Sequence, residues 1–186
     1  MSRKSITSSA FFSKVDISGI FINHLGTLKN YGSSSYSAAD ILVFFILPGI
    51  FSIAIVYGGL RLNQNLISIL INVFAIFASF LFGLLILIYD VVSKTVKDSN
   101  TLAENRLALN RLEAIAFNVS FEVLLSILTV LLLLISVAFD KGVLSIISSL
   151  VVIYLVAVFT LTLFMILKRV HKLLDEEIQH QRKLLK

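Results

Sequence analysis

The 186-residue chain has no cysteine, no tryptophan and a single proline. Without cysteine there can be no disulfide and no thiolate metal site, although this identifies no compartment. The three histidines, His24, His171 and His180, have no carboxylate set spaced to complete a metal site. There is no glycine-rich phosphate loop, no GxSxG elbow and no paired zinc-ligand motif. No catalytic, cofactor or metal residues are therefore expected, and the chain is not read as an enzyme. Charge is scarce as well, at 15% of residues against about a quarter in soluble proteins.

What fills the space is apolar. Hydrophobic residues make up 58% of the chain and the mean hydropathy is +0.96. They concentrate in four runs, 41–60, 66–89, 120–139 and 143–167. Each run approximates the ~20 residues a helix needs to cross a hydrocarbon core of about 30 Å. Glu122, near the start of the third, is the only Asp, Glu, Lys, Arg or His within them. Backbone groups in lipid must bond within their own segment, so the expected fold is all-α, an integral membrane protein with four transmembrane helices.

The distribution of the sixteen Lys and Arg residues sets the expected orientation. Four precede the first run (Arg3, Lys4, Lys14, Lys29), four lie between the second and third (Lys94, Lys97, Arg106, Arg111), and six follow the fourth. The other two connections hold one each, Arg61 and Lys141. Positive-inside bias then places both termini in the cytoplasm. The net charge of +5 needs no nucleic acid to explain it, because basic residues beside a bilayer attract anionic head groups. No continuous apolar core follows Arg3 and Lys4 within the first 35 residues, so no cleavable signal peptide is expected.

Five segments follow. Residues 1–40 form a cytoplasmic, interfacial amphipathic segment in which Ile17, Phe21, Leu25 and Leu28 share helical spacing, with Asp16 as cap and Gly32 as stop. Ser37 and Asp40 have capping-box spacing ahead of the first transmembrane hairpin, 41–89. Pro48 and Gly49 are its candidate hinge, or a static bend. Residues 90–119 form an inner helical hairpin, broken at Asp98–Asn100 and restarted by Thr101 and Glu104, and running into the third span. The second transmembrane hairpin, 120–167, turns at Asp140–Gly142. The cytoplasmic C-terminal helix, 168–186, carries a stripe of Val170, Leu174, Ile178 and Leu185 suited to a helical partner.

Two polar seams cross this apolar background. Glu122, Ser126, Thr129, Ser136 and Asp140 follow one line of the third span, interrupted by Leu133. Ser68, Asn72, Ala75, Ser79 and Gly83 mark a second line, ending near Asp90. Small and hydroxylic residues suit close packing of membrane helices. Packing is the first reading for a four-helix protein taken alone; the second is a pore, with Leu133 as constriction and terminal carboxylates as rings. Leu133→Ser would then make the membrane leak. The basic cluster Lys168, Arg169, His171 and Lys172 is a candidate anion contact, or positive-inside anchoring alone.

A charged hairpin leading through Asn118, Val119, Ser120 and Phe121 into a leucine-rich pair of spans resembles, in layout, the small four-span membrane effectors of bacterial antiphage, abortive-infection defence systems. The resemblance implies depolarisation of the inner membrane on activation by a sensor protein or a nucleotide signal. It carries over no residue. The expected function is a homo-oligomeric channel or pore-forming effector, embedded in the lipid bilayer and gated from the cytoplasm by an anionic nucleotide, an oligonucleotide or a sensor protein. The alternatives are a non-conducting membrane anchor or assembly subunit, and a small exporter.

Overall fold

The computed structural model describes residues 17–28, 42–97, 102–138 and 142–184. These residues are helical throughout apart from short connections, with no strand among them. Helix α1 covers Ser18–Gly26. Helix α2 covers Leu42–Tyr57 and begins as a π-helical turn, Leu42–Ile46, before continuing as an α-helix. Helices α3, Gln64–Lys97, α4, Leu102–Val137, and α5, Val143–Leu184, are much longer. All three are long and apolar enough to cross a membrane. Their lengths match the expectation that the second and third runs continue beyond the apolar region. The expected caps and breaks at Asp16, Gly32, Ser37, Asp40 and 98–101 lie outside the described residues.

The core lies where α3, α4 and α5 meet. Phe74 and Leu81 of α3, Val119 and Leu133 of α4, and Val152 and Phe159 of α5 are almost wholly buried. Phe159 takes edge-on contacts from Phe74 at 4.8 Å and Phe77 at 5.3 Å, the favoured geometry for aromatic rings. Hydroxyls in these helices are satisfied locally. Ser126, Thr129, Ser136 and Thr162 each donate to the carbonyl four residues earlier, a bond that lets a polar side chain sit in an apolar helix.

The two shorter helices complete the fold at its edges. Helix α1 packs on α4, and α2 packs along α5. Two long-range bonds define the path between them. Arg169 Nη2 donates to the Thr27 carbonyl over 2.8 Å, while the Leu62 amide donates to Ser149 Oγ over 3.1 Å. Ser149 and Arg169 are twenty residues apart on α5, about 30 Å of helix. The chain between residues 27 and 62 therefore travels from one end of the apolar part of α5 to the other.

Turn chemistry explains the ends of these helices. Gly59 adopts φ +97° after α2, and Gly142 adopts φ +81° before α5, conformations open to glycine at little cost. Asn63 Oδ1 accepts the Leu66 amide at 2.8 Å and caps α3. Pro48 is buried at the junction of π-helix and α-helix. It can donate no backbone bond, so the bend expected around Pro48 and Gly49 takes the form of a change in helix type.

Two apolar stripes are disposed differently from expectation. Helix α1 leaves Ile17 and Phe21 about half exposed and buries His24, with Leu28 just beyond its end. A buried hydrogen-bond partner on α4 turns its polar residue inward. On the C-terminal part of α5, Val170 and Leu173 pack against the core while Leu174 and Ile178 stay exposed. Arg111 of α4 and Glu176 of α5 form an ion pair there, setting the register of these extensions.

Candidate functional site

The seam on α4 faces inward. Glu122, Ser126, Thr129 and Leu133 are all fully buried and Ser136 nearly so, because this line of α4 meets α3 and α5. Asp140 lies outside the described residues. Leu133 belongs to the hydrophobic core of the single chain. Thr162 of α5 stands beside the Glu122 carboxyl but gives its own proton to the Val158 carbonyl at 3.0 Å. Among the described residues, no donor reaches either Glu122 oxygen. A buried polar group without a partner is rare enough to require an explanation, and in a membrane helix an ionisable one marks a functional position by default.

One turn before Glu122 on the same line stands Asn118, which anchors α1. His24 Nδ1 lies 2.9 Å from Asn118 Oδ1. Thr27 Oγ1 is 2.8 Å from the same oxygen and 2.7 Å from the His24 carbonyl. The imidazole also stacks on Phe121 at 3.9 Å, with Phe21 edge-on to that ring. Burial holds the His24 pKa below its usual 6.5; the bond to Asn118 opposes this, and the nearby Arg169 charge adds to it. The docked histidine is therefore kept neutral. Neither His24 nor Asn118 was singled out for this role by the sequence, although Asn118 continues the seam by one turn.

The seam on α3 faces the other way. Ser68, Asn72 and Ser79 are exposed, as are Ala75 and Gly83 between and beyond them. Ser68 and Ser79 donate to the carbonyls of Gln64 and Ala75. Their neighbours Ile69, Ile76 and Phe80 are exposed too, as on a helix whose outer face awaits lipid or another helix. The line reaches Asp90, which pairs with Lys94 at 2.6 Å.

The basic cluster on α5 is split. Lys168 and Lys172 are exposed, and Arg169 turns toward Thr27. These three edge a cavity of about 440 Å³ whose walls include Leu28, Leu161, Phe164 and Met165. His171 is exposed and does not line it. No group of three potential metal ligands occurs among the described residues.

Fold and site together define a chain whose described residues are helical apart from short connections, with three helices long and apolar enough to cross a membrane, an inward and an outward polar seam, and a basic cavity where the apolar part of α5 gives way to its charged part. Compared with protein-family models, curated proteins and solved structures, the chain matches none.

Proposed function

We propose that the chain is a four-span membrane protein that assembles into a homo-oligomeric channel, with the outward seam of α3 facing the central axis. The observation that carries this reading is the exposure of Ser68, Asn72 and Ser79 along an otherwise apolar helix. Facing lipid, the Asn72 amide would forgo hydrogen bonds to water; facing a shared axis it recovers them. Small neighbours at Ala75 and Gly83 allow close helix approach. The buried α4 seam supports the same division of labour, since it serves packing within the chain and leaves α3 to form the pore.

Four crossings are supported by the pinning of residues 27 and 62 at opposite ends of the apolar part of α5. The described part of α2, Leu42–Tyr57, covers about 24 Å, and a span of that reach is accommodated by local thinning of the bilayer. With four spans, the basic flanks fall on one side, and α1, the α3–α4 hairpin and the end of α5 share the cytoplasm. Gating by a cytoplasmic signal, as in the antiphage effectors the layout resembles, would act through these parts.

Single cysteines at Ser68, Asn72 and Ser79 test the reading in a protein with none of its own. Purified oligomers in planar bilayers should conduct, and polar thiol reagents should block each cysteine variant but not the parent. The same cysteines should cross-link copies of the chain. Oligomers that cross-link there yet never conduct would instead establish a non-conducting assembly subunit, a reading favoured by the local satisfaction of the α4 hydroxyls.

A further inference from the structure

The cavity beside the middle of α5, where its apolar part ends, has the layout of a head-and-tail site. Leu161, Phe164, Met165, Lys168 and Lys172 recur at offsets of 0, 3, 4, 7 and 11 along the helix, so one face changes from apolar to cationic within about three turns. The apolar residues lie on the side of the span. The lysines lie one to two turns beyond, where a helix emerging from lipid meets head groups, about 5–10 Å further along the axis. Arg169 adds a third cationic group at the rim. The volume of about 440 Å³ falls within the range of roughly 300–1,000 Å³ typical of ligand pockets.

We infer that this cavity binds one anionic phospholipid, with its phosphate between Lys168 and Lys172 and an acyl chain along Leu161, Phe164 and Met165. Charge complementarity selects an anion, and the apolar floor selects an amphiphile over a free phosphate or a nucleotide. Basic pockets beside transmembrane helices hold anionic head groups for the same electrostatic reason. The bound lipid has a structural consequence. Arg169 also holds the Thr27 carbonyl at the end of α1, and Thr27 and Leu28 form part of the cavity wall. Lipid occupancy and α1 docking therefore stabilise one another, as coupled binding events must. The inference needs α5 to span the bilayer but does not need the oligomer to conduct.

Native mass spectrometry of the full chain, delipidated and then titrated with phosphatidylglycerol or phosphatidylcholine, tests it. The expected result is one tightly retained phosphatidylglycerol per chain, with retention reduced on the order of tenfold or more in Lys168→Gln/Lys172→Gln. Lys94→Gln, which removes an exposed lysine elsewhere, should retain lipid as the parent does. Met165→Trp, which fills the apolar floor without changing charge, should also lose the lipid. Equal retention of phosphatidylcholine, or unchanged retention in the double lysine variant, would overturn the inference. So would displacement of the lipid by millimolar inorganic phosphate or ATP, which would make the cavity a site for soluble anions. Conductance is not read, so failure here is distinct from failure of the channel.

Discussion

His24 and Glu122 are polar residues at positions where an apolar side chain would pack without penalty. They bear differently on stability. His24 is neutral when docked, whereas the undocked segment titrates near 6.5. Below that value the undocked form binds more protons, so α1 docking is fully present above about pH 6.5 and weakens as pH falls toward the lowered docked pKa. Energy transfer between labels on cysteines introduced at Asn23 and Glu113 should show the helix separating as pH falls from about 8 to about 5. His24→Gln should abolish that dependence. Glu122 has no donor among the described residues, so Glu122→Met should raise the thermal midpoint, relieving a penalty of about 1–3 kcal/mol. A lowered midpoint would reveal an interaction at that carboxyl beyond those described. Leu133→Ser removes core volume and buries a hydroxyl, and should destabilise by about 2–5 kcal/mol. A leak without loss of stability would restore the α4 seam to a pore lining. The α4 line was legible at this scale because helical periodicity is a property of one segment. Its burial was not, because that depends on which neighbours close over it.

Helix extents were legible for a related reason. Apolar run length and the absence of breakers carry α3 to Lys97 and α4 back to Leu102. The π-helical start of α2 was not, since Pro48 signals only that a regular bond is missing and leaves the chain several ways to respond. The C-terminal stripe shows a similar limit. Spacing alone groups Val170 with Leu174 and Ile178, but the Arg111–Glu176 pair and the packing of Leu173 set a different face. Connections are stricter than helix faces. At Gly59, φ +97° strains any side chain, so Gly59→Ala should cost about 1–2 kcal/mol. Thermal unfolding should show the loss, while an alanine at Gly19 of α1, where an added methyl meets nothing within 4 Å, should leave the midpoint unchanged or raise it.

For the whole molecule, the count of crossings is the quantity that decides everything else. In a cysteine-free chain, Arg61→Cys, Lys94→Cys and Lys172→Cys can be labelled with membrane-impermeant reagent on each side of sealed vesicles. Four spans require the Lys94 and Lys172 positions to react from one side and the Arg61 position from the other, with a further cysteine at the exposed Asn23 reacting from the Lys94 side. Termini on opposite sides would show that α2 does not cross. Charge bias makes this topology an expectation of the sequence, and the labelling pattern decides it. The partner of α2 could not be read in that way, because apolar runs of similar composition give no signal of which pairs with which.

That partner has a bearing on biosynthesis. Among the described residues, α2 packs on α5 alone, and the bonds that fix both its flanks also end on α5. The first apolar helix to leave the ribosome therefore waits for the last. The delay is roughly 100 residues of synthesis, on the order of 5–20 s. During that interval a short helix with no neighbour must be held by the insertion machinery or stay at the bilayer surface. Chains truncated before Val143 should consequently retain the α3–α4 pair with α1 docked on α4, and leave α2 unassembled and open to quality-control proteases.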